Sequence, residues 1–126
     1  MIHEEIVTYE VAKLAKEKGF NDKCYHYYQK GELETDKCFN RYNKGVDSIC
    51  SAPTQSLLQR WLREKKNIVF GISPMQEMDC DYLGWCATIY KVDENGYGLS
   101  LKEELYYNTY ELVLENAMKY ALENLV

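Results

Sequence analysis

Cys24 and His26 stand two residues apart in the stretch CYHYYQ. On a strand that spacing puts both side chains on one face, where an imidazole can act as base to a thiol nucleophile. The chain has 2 histidines, and the other, His3, lies near the start, so thiol or serine hydrolysis would have to rest on Cys24 and His26. The competing reading is an aromatic sheet face on which both residues simply pack. Cys38 and Cys50 would complete a set of four zinc-type ligands with Cys24 and His26. Nothing in their spacing makes them meet, and no two of the 5 cysteines have C-x-x-C spacing. Glu77, Asp79 and Asp81 alternate in EMDCD and in an extended loop would share a side that attracts a divalent cation. The glycine and closing glutamate of a calcium loop do not follow at the right offsets, so a solvated acidic turn accounts for them. GYG (Gly96 to Gly98) is a turn and not the G-x-G-x-x-G of a phosphate loop. No metal and no cofactor is expected.

Arg60, Arg63, Lys65 and Lys66 crowd one helix end, and 12 tyrosines offer stacking faces. Single-strand binders pair aromatics with a basic groove in this way. Glu64 sits inside the cluster, however, and basic residues at a helix C-terminus are what the helix dipole favours. The net charge of −5 argues against duplex DNA and an anionic membrane surface, both of which need a basic face. Nucleic acid, RNA or single-stranded DNA, is therefore the second reading and not the first.

These residues have to be positioned by a chain of 126 residues, 46% hydrophobic and 13% aromatic. Size scaling lets such a chain bury about two-thirds of its unfolded surface, enough for a core without staples. One domain over residues 1–126 is expected, with residues 1–7 as a flexible tail. Thr8 caps a first helix that carries Val11, Leu14, Ala15 and the stem of Lys18. Gly19 suits the left-handed position that ends it, with Phe20 folding back. Cys24–Gln29 and Leu33 to about Phe39 read as a hairpin across KGE, and residues 40–52 as a loop.

SAPTQSLLQRWLREKKN (Ser51 to Asn67) is the most strongly patterned stretch. Ala52-Pro53 keeps the chain extended, Thr54 is the N-cap, and Leu57, Leu58, Trp61 and Leu62 share one face. Asn67 suits the helix's C-terminal stop. Ile68–Ile72 and Gly84–Val92 are strands, joined by the polar connector SPMQEMDCD; Asp93 to Gly96 is a turn, and residues 97–107 carry no clear pattern. In the terminal helix Asn108 with Glu111 fits a capping box. Tyr110, Val113, Leu114, Ala117, Met118, Ala121 and Leu125 form its apolar stripe. The order α-β-β-α-β-β-α favours an α+β fold, an antiparallel sheet of about four strands with three helices packed on it.

The stretches LAKEKGF-x3-CYHYY, APTQSLLQRWLREKKNI and YYNTYELVLENAMKYAL resemble a group of small proteins encoded by bacteriophages, prophages and mobile elements of gut bacteria. The resemblance covers about residues 10 to 125. The group's terminal helix has a second acid after Glu111 where this chain has Leu112, which shifts the expected cap from Thr109 to Asn108. The resemblance implies a phage-associated, cytoplasmic, single-domain protein and transfers no site.

No basic n-region and no 18-residue apolar run is present, so neither a secretion signal nor a membrane span is expected. With an odd number of cysteines, the thiols are expected to be reduced in a cytoplasmic protein. The reading that results is a non-enzymatic protein-binding module, its partner another protein or a second copy of the chain. The alternatives are single-strand nucleic-acid binding through Arg60, Arg63, Lys65 and Lys66, and a small enzyme built on Cys24 and His26.

Overall fold

Three threonines start the three helices of the computed structural model, which describes residues 4–35, 49–76, 83–94 and 98–126. Thr8 caps α1 (Tyr9–Glu17), its hydroxyl accepting from Val11 N at 3.4 Å. Thr54 caps α2 (Gln55–Lys66), accepting from Leu57 N at 3.1 Å. Thr109 caps α3 (Tyr110–Asn124), accepting from Leu112 N at 3.1 Å. The cap of α3 is thus Thr109 and not Asn108. With Leu112 at the third helical position, no acid reaches back to close a capping box.

Two of the helices stop where the chain turns left-handed. Gly19 has φ of 98° and Asn67 has φ of 59°. Beyond α1, Phe20 N donates to Ala15 O at 2.9 Å and Gly19 N to Lys16 O at 3.1 Å, the paired bonds of a Schellman motif. That motif swings Phe20 into the core, where its ring meets Trp61 edge-on at 5.5 Å.

The strands form two antiparallel sheets of three. The first has the order β2-β1-β3, from β1 (His26–Gln29), β2 (Glu32–Thr35) and β3 (Ile49–Ala52). The second is a meander in the order β4-β5-β6, from β4 (Ile68–Gln76), β5 (Leu83–Val92) and β6 (Gly98–Tyr107). The α+β class is therefore present, and the described residues hold three helices and six strands in two sheets, where about four strands in one sheet were expected. β3 falls inside the stretch expected to be a loop, and β6 occupies the stretch without a clear pattern. Pro74 sits in β4, an outer strand of its sheet, where a missing N–H breaks no ladder on the open side.

Residues 4–7 are not a tail. Ile6 bridges Thr54, Val7 N donates to Pro53 O at 3.1 Å, and Gln55 N donates to Glu5 O at 2.8 Å. Val7 is fully buried, and Tyr28 Oη donates to its carbonyl at 2.8 Å. The isoleucine and valine that read as flexible thus pair with backbone just ahead of α2.

α3 organises the rest. It packs on β4, β5 and β6 and also touches α1 and α2. Its stripe Val113, Leu114, Ala117, Met118 and Ala121 is buried, joined by Leu122. α1 packs on β3, and α2 on β4. Leu58, Trp61 and Leu62 of α2 belong to one hydrophobic cluster with Val11, Ile68, Ile89 and Met118.

Candidate functional site

Where residues 5–7 run beside residues 53–55, the start of β1 and the first turn of α2 close a half-open cleft of about 570 Å³. Its apolar wall is Ile6, Ala52, Pro53 and Leu57, and Glu4, Lys23, Tyr25 and His26 supply polar groups. The cleft is preformed because backbone bonds set its walls: Val7 to Pro53, Gln55 to Glu5, and the register pair His26 and Ala52. Tyr25 is the most exposed large hydrophobic side chain described, at 59%.

Cys24 and His26 both line this cleft, with Cys24 just ahead of β1 and His26 its first residue. Cys24 is nevertheless 3% exposed, and its Sγ donates to the Asp22 carbonyl at 3.5 Å. Burial pushes the thiol up to about 12, with the Asp22 carboxylate and Cys50 adding to the effect. At neutral pH it is a neutral thiol, and the thiolate is the nucleophilic form. The pair shares a wall, but its sulfur belongs to the core.

Arg60 Nε pairs with Glu64 Oε1 at 2.9 Å, both side chains well exposed. Lys66 Nζ lies 5.4 Å from the Trp61 ring centroid. Arg63 and Lys65 are exposed. Trp61, the aromatic of this helix, is 6% exposed and packed on Phe20, so its own ring is not open for a base to stack on.

A polar junction that pattern reading missed joins the three helices. Glu115 is 9% exposed although it stands among the apolar residues of α3. Its Oε1 accepts from Thr8 N at 2.6 Å, and its Oε2 accepts from Gln55 Nε2 at 3.0 Å. Gln55, 5% exposed, also donates to Glu111 O at 2.8 Å. The carboxylate therefore sits at the N-terminus of α1, where the helix dipole favours negative charge. The one signal in the sequence is an acid inside the VLEN-AM stripe.

Among the described residues, no group of three or more His, Cys, Asp and Glu is placed to hold a metal ion. Cys24 and Cys50 are both buried, free thiols, and Cys50 faces Tyr28 in the ladder. Cys38, His3 and the acids Glu77, Asp79 and Asp81 lie outside the described residues. So do the turn residues Asn95, Gly96 and Tyr97. No described helix is long and apolar enough to cross a membrane. Set against known proteins, the chain matches no family model, no curated protein and no solved structure at a significant level.

Proposed function

We propose that this protein acts by binding another protein chain and not by catalysis, and that the cleft beside Tyr25 is where it does so. The observation that carries this reading is the exposed Tyr25 ring set beside an apolar wall of Ile6, Pro53 and Leu57. Tyrosine buries much area at the cost of few rotatable bonds, which is why it is enriched in the residues that dominate interfaces. A wall fixed by backbone bonds has little ordering entropy left to lose on binding. The buried, high-pKa Cys24 thiol supports binding over catalysis in the same cleft. The resemblance of the PTQSLLQRWLRE and NTYE stretches supports an origin in a bacteriophage or mobile element as part of this reading. The described thiols Cys24, Cys50 and Cys86 are free, which fits the reducing cytoplasm of a host cell.

The test is a photo-crosslinking amino acid at position 25, with position 63 on the exposed face of α2 as the control, in a bacterial host. Sedimentation of the purified protein over a wide concentration range accompanies it. A discrete adduct from position 25 alone, to a host protein or to a second copy, supports the reading. A chain that stays monomeric and gives no adduct particular to position 25 refutes it.

A further inference from the structure

The short extended segment ahead of α1 has a second edge. Ile6 and Thr54 face each other across an antiparallel bridge, and their neighbours make its bonds, Val7 N to Pro53 O and Gln55 N to Glu5 O. Ile6 and Thr54 are therefore the pair that exchanges no hydrogen bond, and in such a pair the N–H and C=O of each residue point away from the facing strand. Ile6 N and Ile6 O turn to the side opposite residues 53–55, and among the described residues no hydrogen bond reaches either of them. Ile6 is half-buried, and Glu4 and Glu5 beside it are exposed.

This edge borders two cavities. Side chains alternate along an extended chain; Glu4 and Ile6 line the cleft, while Glu5 lines a second cavity of about 250 Å³ that Ile6 also borders. The second cavity is acidic: Glu5, Glu111 and Glu115 line it, and no lysine or arginine is among its described lining residues. It is smaller than the roughly 300–1,000 Å³ of pockets that enclose a whole ligand, so it suits a single side chain. Glu5 and Glu111 are exposed and can meet a charge brought by a partner.

A chain that covers the cleft takes Ile6 out of water, because Ile6 is part of its apolar wall. The outward N–H and C=O then need new partners, since buried backbone groups left unpaired are costly. A helix uses its own backbone groups internally and has none to offer along its length. An extended chain offers one donor and one acceptor at a single residue, the exchange an antiparallel pair makes. We propose that the partner binds as an added strand: an extended segment that pairs with the open edge of Ile6, sets an apolar side chain in the cleft and turns the next side chain, a lysine or arginine, toward Glu5 and Glu111. This rests on the reading of the cleft as the place where a partner chain binds. Consecutive side chains of a strand point to opposite faces, which lets one segment serve both cavities. In strand addition the main-chain bonds supply affinity and the pockets for alternate side chains supply specificity.

The experiment selects binders of the wild-type protein from short random peptides displayed on yeast, then follows amide exchange by NMR with and without the best peptide. The selected sequences should alternate apolar residues with lysine or arginine. The peptide should slow exchange at Ile6 by about tenfold or more, while Val7, already bonded to Pro53 O, is protected in both states. Two variants separate the edge from the side chain. Ile6→Ala shortens the apolar wall and keeps the N–H; Ile6→Pro removes the N–H as well, a change that edge positions tolerate. Ile6→Pro should bind the peptide about three- to tenfold more weakly than Ile6→Ala, the worth of one hydrogen bond. Thermal midpoints show whether both variants fold, and where Ile6→Pro does not, the exchange of Ile6 in the wild type decides. Failure to select any peptide, peptides that leave Ile6 exchange unchanged, or equal binding by the two folded variants overturns the proposal. If a position-25 adduct still forms, only the added strand is struck; if that adduct is absent too, the reading beneath it falls.

Discussion

Removing the carboxylate of Glu115 tests how the three helices are held together. In Glu115→Ala, Thr8 N and Gln55 Nε2 lose the oxygens that now receive them at 2.6 and 3.0 Å. Each orphaned buried donor costs roughly 1–3 kcal/mol, although Gln55 keeps its second bond to Glu111 O. The expected loss is therefore about 2–5 kcal/mol, a large share of the roughly 5–15 kcal/mol that holds a domain folded. Glu115→Gln should cost less, about 1–3 kcal/mol. An amide offers one oxygen to two donors, so whichever way it turns, one donor faces another. Urea titration followed by circular dichroism and by tryptophan fluorescence measures both losses. Gln55→Ala combined with Glu115→Ala should cost less than the sum of the single changes, by about 0.5–3 kcal/mol, because the two remove one shared contact. A loss below about 1 kcal/mol for Glu115→Ala, or strict additivity with Gln55→Ala, would show that the junction is spectator polarity.

Trp61→Ala should cost about 3–5 kcal/mol in the same titration, since its ring is buried against Phe20; a loss under about 1 kcal/mol would mean the ring is exposed in solution. Thr109→Ala should cost about 1 kcal/mol through the lost cap of α3, seen as a lower urea midpoint. For pH, the Cys24 thiol is raised from its ordinary 9.0 to about 12, so the folded protein holds that proton more tightly than the unfolded chain does. Its contribution is complete below pH 9 and is lost as pH climbs from 9 through 12. Between about pH 8 and pH 11 the stability of the wild type should therefore fall further than that of Cys24→Ala, by on the order of 2 kcal/mol, and parallel curves would contradict the burial argument.

The helices were legible because their signals are local. Thr8, Thr54, Gly19 and Asn67 each act on backbone groups within a few residues, and each does in space what its type implies in sequence. The cap of α3 was displaced by one residue because Asn108 and Thr109 are both good caps, and only the direction of the chain decides between them. β3 was illegible because four residues, Ile49–Ala52, carry no periodicity of their own; the ladder to β1 makes them a strand. β6 holds Lys102, Glu103 and Glu104 in succession, a composition that suits a helix equally well, and the ladder to β5 overrides it. In the cleft, Cys24 and His26 were visible as a pair, but Ile6 and Leu57 reach it only through the bridge between Ile6 and Thr54. Glu115 reads as the polar face of α3 until Thr8 arrives from 107 residues away.

The position of α3 along the chain has a consequence for synthesis. A ribosome delivers the six described strands before it delivers the helix that packs on β4, β5 and β6 and touches α1 and α2. Until then Ile68 and Phe70 of β4 and Ala87 and Ile89 of β5 lack their cover, and α1 and α2 lack the element that links them. The nascent meander thus exposes an apolar sheet face until α3 arrives, the kind of surface through which incomplete chains aggregate. A chain interrupted before residue 110 should accumulate as aggregate or be degraded, however complete its sheets.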